Sequence, residues 1–171
     1  LLIGLVRRKF SARGLVQAVA ETLRISAMVV VLITGAVLFG RFLTVSRLPF
    51  ELADWAVSLP VWPGVVILVV LLIYVIGGML MDALGFLVVT IPIFYPLGAA
   101  LGYDPVWYTV VLTVVTTMGA VTPPVGVNVF IVSGLAPDIP VQTIFRGVAF
   151  FILSYLACIA LMWAVPDVVL L

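Results

Sequence analysis

Hydrophobic positions in this chain come in long blocks separated by short polar marks, and the period within the first block is helical. From Ser11 to Arg24, the residues Arg13, Gln17, Glu21 and Arg24 fall on one face, and Val16, Val19, Ala20 and Leu23 on the other. Residues 1–24 therefore read as a connector carrying an amphipathic helix. Ile25 to Phe39 is apolar enough to span a bilayer, ending near Arg41, whose long stem can snorkel, so 25–43 is predicted as a first crossing. Over 45–60, Leu48, Leu52, Trp55 and Leu59 recur on one face among Arg47, Glu51 and Asp54. Pro49 and Pro60 bracket them, predicting an arm helix lying in the interface.

The blocks that follow are longer. Val61 to Met81 is 21 uncharged residues and runs through Gly77 and Gly78 to Asp82. A second uncharged stretch to Tyr103 is interrupted by Pro92, Pro96, Gly98 and Gly102. Residues 61–102 read either as two complete crossings or as one helical hairpin with its tip near 77–86, and both leave the topology parity unchanged. Pro105 to Pro137 is uncharged over 33 residues, about 50 Å as a straight helix against a hydrocarbon core of about 30 Å. It must bend, so 105–136 is predicted as a discontinuous helix broken at 119–126. A final crossing is expected over 143–165, with Trp163 and Pro166 marking its end.

Composition narrows the class. At 65% hydrophobic and 9% charged residues with no histidine, the chain is an all-α, polytopic membrane protein rather than a soluble domain. Imidazole-based metal or proton-relay chemistry is excluded. A net charge of +1 gives no argument for nucleic acid, and the single Cys158, inside an apolar run, reads as a packing residue. Arg7, Arg8, Lys9, Arg13 and Arg24 precede the first crossing and place that end in the cytoplasm. No signal peptide is recognisable, and a chain opening on Leu1 is read as a piece of a longer protein.

The chemistry concentrates in Gly119-Ala120-Val121-Thr122-Pro123-Pro124-Val125-Gly126-Val127-Asn128. Two adjacent prolines cost about 3 kcal/mol each in a helix interior. A helix broken at membrane depth exposes carbonyls at the end of its first half and amides at the start of its second, with half-dipoles of opposite sign. Carbonyls suit Na⁺ and amides suit a carboxylate, the pattern of secondary transporters with discontinuous helices. Gly119, Thr122, Pro123 and Gly126 are the expected ion-site positions here, and Thr122, Val127 and Asn128 the expected substrate contacts. The alternative is a structural proline kink.

Asp82, with Gly77 and Gly78 before it and Gly85 after, is the second candidate. A carboxylate at membrane depth needs a partner, so it reads as the tip of a re-entrant hairpin facing an ion, or else as a surface residue ending an ordinary crossing. Asp104 and Asp138 read as loop residues. No nucleophile with a base, no metal-ligand spacing and no phosphate loop appears, so an enzyme and nucleotide energy are not expected; an ion gradient is the remaining driver.

The order Gly78-Met79-Leu80-Met81-Asp82, Pro92-Ile93-Phe94-Tyr95-Pro96, Gly102-Tyr103-Asp104-Pro105 and Gly119 to Asn128 resembles the large membrane subunit (the DctM-like permease) of tripartite ATP-independent periplasmic (TRAP) transporters. The resemblance runs from about Ala36 to Pro166 and is closest to the C-terminal half. It implies the second of two inverted repeats in an elevator-type transporter, importing organic acids such as C4-dicarboxylates with Na⁺ and no other cofactor. It also implies a soluble periplasmic substrate-binding protein and a small four-helix membrane subunit as partners, in the bacterial cytoplasmic (inner) membrane. The hairpin tip at Gly77 to Asp82 and the break at Gly119 to Gly126 would together form one Na⁺ site. The sequence lacks the N-terminal repeat, so this chain alone is not expected to transport. Two other readings stay open: an elevator-type anion carrier without a binding protein, and a non-transporting membrane scaffold subunit.

Overall fold

The computed structural model describes residues 12–136 and 138–170, and every regular element among them is a helix. The basic cluster Arg7, Arg8 and Lys9 lies outside the described residues. Two compact units divide at Leu38 and Phe39. The first described helix, α1 (Ala12–Ser46), runs through that division without interruption. The separate amphipathic helix and crossing expected at 1–24 and 25–43 are thus one element. Their shared boundary at Arg24 offers no proline, cap or glycine to stop a helix, and a change from amphipathic to apolar composition does not by itself end one. Gln17 Nε2 donates to Glu21 Oε1 at 3.2 Å, one turn on along the polar face.

The second unit holds the remaining elements. Arg47 sits at φ 57°, in the left-handed region, and α2 (Leu48–Ser58) starts directly after it with Pro49 in its first turn. This arm is shorter than the predicted 45–60, and small residues make its inward contact. Pro49, Ala53 and Ala56 are buried, whereas Leu48 and Trp55 are exposed. In lipid there is no gain from hiding leucine, so the small residues that let helices approach take the contact, and α2 packs on α4.

Helix α3 (Pro63–Leu80) and helix α4 (Ala83–Ala100) are joined by Met81 and Asp82 alone. Gly64, Ile67, Leu71, Tyr74 and Gly78 form a buried stripe of three- and four-residue steps along α3. The expectation that Pro92 and Pro96 interrupt the second limb is corrected, because α4 runs through both. The freed turn is tolerated in a membrane helix where neighbours pack closely around it. Phe94, on this stretch, meets the Tyr74 ring edge-on at 5.5 Å.

The end of α4 is locally encoded. Gly102, at φ 83°, donates its N–H to Ala99 O at 3.0 Å, and Tyr103 donates to Gly98 O at 3.1 Å, a Schellman closure. Asp104 then caps α5 (Pro105–Gly119), its Oδ1 accepting from Val106 N at 2.8 Å and Trp107 N at 3.1 Å. Helix α5 is the centre of the unit. Trp107, Tyr108, Val111, Leu112, Val115, Thr116, Met118 and Gly119 are all buried on it, mainly against α3 and α4.

Helix α6 (Val127–Leu135) follows an irregular stretch, then α7 (Val141–Ala164) and the short α8 (Asp167–Leu170). Trp107 Nε1 donates to Met162 O at 2.8 Å, tying the start of α5 to the end of α7. By length and apolarity, α1, α3, α4 and α7 each suffice to cross a membrane. No residue of α7 is buried, and an apolar helix in that state is matched to lipid or to further protein rather than to water.

Candidate functional site

Two helix C-termini meet at glycines. A Cβ added to Gly78, in the last turn of α3, would overlap the carbonyl oxygen of Thr116 and lie 3.1 Å from its carbonyl carbon. A Cβ on Gly119, the last residue of α5, would overlap Val75 O and lie 3.1 Å from Gly78 Cα. The two backbones are therefore in direct contact where both helices end. Helix C-termini present unpaired carbonyls and a negative half-dipole, so two of them together favour a cation. Gly77 O accepts from Met81 N at 2.9 Å, while no N–H among the described residues donates to the carbonyls of Gly78, Met79 or Leu80.

Beyond Gly119 the chain leaves the helix for seven residues. Ala120 and Thr122 donate backward, to Thr116 O at 3.1 Å and Gly119 O at 2.9 Å, and the Thr122 hydroxyl donates to Met118 O at 2.6 Å. Val121 and Thr122 carbonyls accept no backbone N–H among the described residues. Pro123 and Pro124, both exposed and joined by a cis peptide bond, supply no amide hydrogen. Gly126 turns the chain into α6 at φ 59°, with a would-be Cβ 3.2 Å from Thr122 O. Its backbone amide and those of Val125 and Val127 make no backbone hydrogen bond among the described residues, whereas Asn128 N donates to Ala120 O at 3.1 Å and ties the new helix to the old one. Within a few residues, then, free carbonyls stand beside free amides at the positive end of α6, an arrangement able to hold a cation and an anionic group together.

The sequence-derived positions divide on this geometry. Gly78 and Gly119 are brought together. Gly77 is not free, because the Phe86 ring of α4 occupies the space its side chain would take. Asp82 is exposed and caps α4, its Oδ2 accepting from Gly85 N at 3.1 Å, and no hydrogen bond among the described residues joins it to residues 119–126. Thr122 has its hydroxyl hydrogen engaged and keeps its lone pairs. Val127 is half-buried, and the Asn128 side chain is exposed. Sequence reasoning missed Val75 and Thr116, whose carbonyls receive the two glycines. The only available signal was the three-residue step from Thr116 to Gly119, which is uninformative without knowing the neighbour.

The profile of the family described as tripartite ATP-independent periplasmic transporter, DctM component, matches residues 1–168. The chain belongs to the DctM family. Among curated relatives, it is 36% identical over 137 residues to the isethionate TRAP transporter permease protein DctMQ of Oleidesulfovibrio alaskensis, covering 80% of this chain and 22% of that protein. It is 29% identical to the sialic acid TRAP transporter large permease protein SiaM of Vibrio cholerae, covering 97% of this chain and 39% of the relative. With the C4-dicarboxylate TRAP transporter large permease protein DctM of Pseudomonas aeruginosa the identity is 28%, over 86% of this chain and 34% of the relative. This DctM-family chain thus spans between about a fifth and two fifths of the length of these relatives. Family and apolar helices together place it in the bacterial inner membrane.

Proposed function

We propose that this chain is the C-terminal part of a Na⁺-coupled TRAP permease importing organic acids such as C4-dicarboxylates. A periplasmic binding protein would deliver the cargo and a small membrane subunit would complete the assembly. The observation that carries the reading is the contact of the α3 and α5 C-termini at Gly78 and Gly119, beside the amides of Val125 to Val127, which donate to no backbone carbonyl among the described residues. Carbonyl oxygens there would hold Na⁺, and the amides at the start of α6 would take an anionic head of the cargo. The relatives' names specify isethionate, sialic acid and C4-dicarboxylate, which share an anionic group but little else. Main-chain amides suit such a range, since they recognise the charge and not the rest of the molecule. The protein would use no catalytic side chains and no cofactor besides the coupling ion. The α3–α4 pair would act as the re-entrant hairpin of one of two inverted repeats, moving as an elevator against a scaffold.

The test is uptake by the full-length permease with its small subunit in proteoliposomes, supplied with binding protein and cargo under an imposed Na⁺ gradient. Replacing Pro123 and Pro124 together by alanine is expected to abolish Na⁺-dependent uptake by letting α5 extend through the break. Uptake that persists unchanged would refute the ion-site role.

A further inference from the structure

At the end of α3 opposite Gly78, four segments enclose a half-open cavity of about 210 Å³. Trp62 precedes α3, Tyr103 and Asp104 form the turn between α4 and α5, Trp107 lies in the first turn of α5, and Trp163 closes α7. The rings brace one another. Tyr103 stacks on Trp107 with centroids 5.4 Å apart and planes 15° apart, and Trp163 meets Trp107 edge-on at 5.4 Å. The Trp107 N–H is spent on Met162 O, which fixes that ring. Trp62, by contrast, is 69% exposed, its ring laid over Gly64.

Asp104 supplies the charge. Its Oδ1 takes both capping amides, and its Oδ2 accepts no hydrogen bond from the described residues. Among the described residues, no Lys or Arg lines the cavity. A carboxylate with one oxygen free of hydrogen bonds from the described residues, beside several aromatic rings, is the recognition chemistry of an alkylammonium group, which the ring faces attract by cation–π interaction. Trp and Tyr at helix ends also mark headgroup depth, where the abundant alkylammonium is that of zwitterionic phospholipids. An aromatic belt alone would not tell one headgroup from another; a carboxylate does, by repelling an anionic one.

We propose that this cavity seats the ammonium of a zwitterionic phospholipid headgroup, with Asp104 as counter-ion and Trp62, Tyr103 and Trp163 as ring contacts. Two variants test the site. Asp104→Asn keeps the helix cap, since asparagine caps as well as aspartate. Trp62→Ala removes a largely exposed ring that also covers Gly64, so the melting temperature of that variant is read alongside. Native mass spectrometry of the full-length permease, offered equal phosphatidylethanolamine and phosphatidylglycerol, reads the preference directly. The wild type is expected to retain phosphatidylethanolamine preferentially, and each variant to lose that preference by about tenfold. Equal retention of the two lipids by the wild type, or a preference that survives both variants, overturns the proposal. Free ethanolamine shifting the tryptophan fluorescence of a permease that retains no phosphatidylethanolamine would overturn the lipid as the source.

Discussion

Replacing Gly78 by alanine puts a methyl group into a space that does not exist. The new Cβ would lie 3.1 Å from the carbonyl carbon and 3.2 Å from the Cα of Thr116, and nearer still to its oxygen. Ordinary carbon–carbon contact is about 3.5–4.0 Å, so the last turns of α3 and α5 must part by roughly 0.5–1 Å. Overpacking of this kind costs about 1–3 kcal/mol, and the upper part of that range applies because the obstacle is main chain, which has no rotamer to yield. If the carbonyls at this junction bind Na⁺, the same displacement spoils their geometry, and a misplacement near 1 Å can cost on the order of 10²-fold in activity. The assay is Na⁺-dependent uptake by the full-length assembly, read alongside thermal unfolding with and without Na⁺. The melting temperature is expected to fall and the Na⁺ concentration for half-maximal uptake to rise about tenfold or more. Gly147→Ala, where a Cβ meets nothing within 4 Å, is the matched control. Gly78→Ala and Gly119→Ala combined should cost less than their sum, because the first separation makes room for the second methyl. A Gly78→Ala permease that melts and responds to Na⁺ like the wild type refutes the reasoning.

Gly126→Ala forces a side chain into the left-handed region at φ 59° and is expected to cost about 1–2 kcal/mol in thermal unfolding, with Gly126→Asn closer to wild type. Trp107→Phe removes the only donor to Met162 O among the described side chains and should destabilise by about 1–3 kcal/mol, also read by melting. Tyr74→Phe should be neutral or slightly stabilising in the same measurement. The Tyr74 hydroxyl is fully buried and, among the described residues, has no well-formed hydrogen bond beyond a marginal approach to Thr90, so removing it relieves a desolvation cost.

Features that depend on a few adjacent residues could be read from the sequence. Asp104-Pro105 starts a helix because an aspartate cap and a proline in the first turn act locally. Thr122 to Gly126 lies outside any helix because two neighbouring prolines remove two amides from the same turn. Long-range packing could not be read in this way. Pro92 and Pro96 look like interruptions locally, and only the surrounding structure shows that the helix is kept. On α2 the leucine repeat marks an apolar face but does not say that Ala53 and Ala56 carry the contact with α4. At the candidate site, Gly78 and Gly119 are far apart in the sequence, and nothing in either neighbourhood says that the missing side chain of one is filled by the backbone of the other. Gly77 shows the same difficulty from the other side, since its neighbour Gly78 touches α5 while Gly77 itself accommodates Phe86.

The contact between α3 and α5 also has a mechanical meaning. Two backbone segments touching without side chains between them have no rotamers with which to absorb a closer approach, so the joint is stiff to compression. If the α3–α4 tip is pressed towards α5, the end of α5 must yield with it. The compliance then falls to the seven residues from Ala120 to Gly126, which lie between α5 and α6.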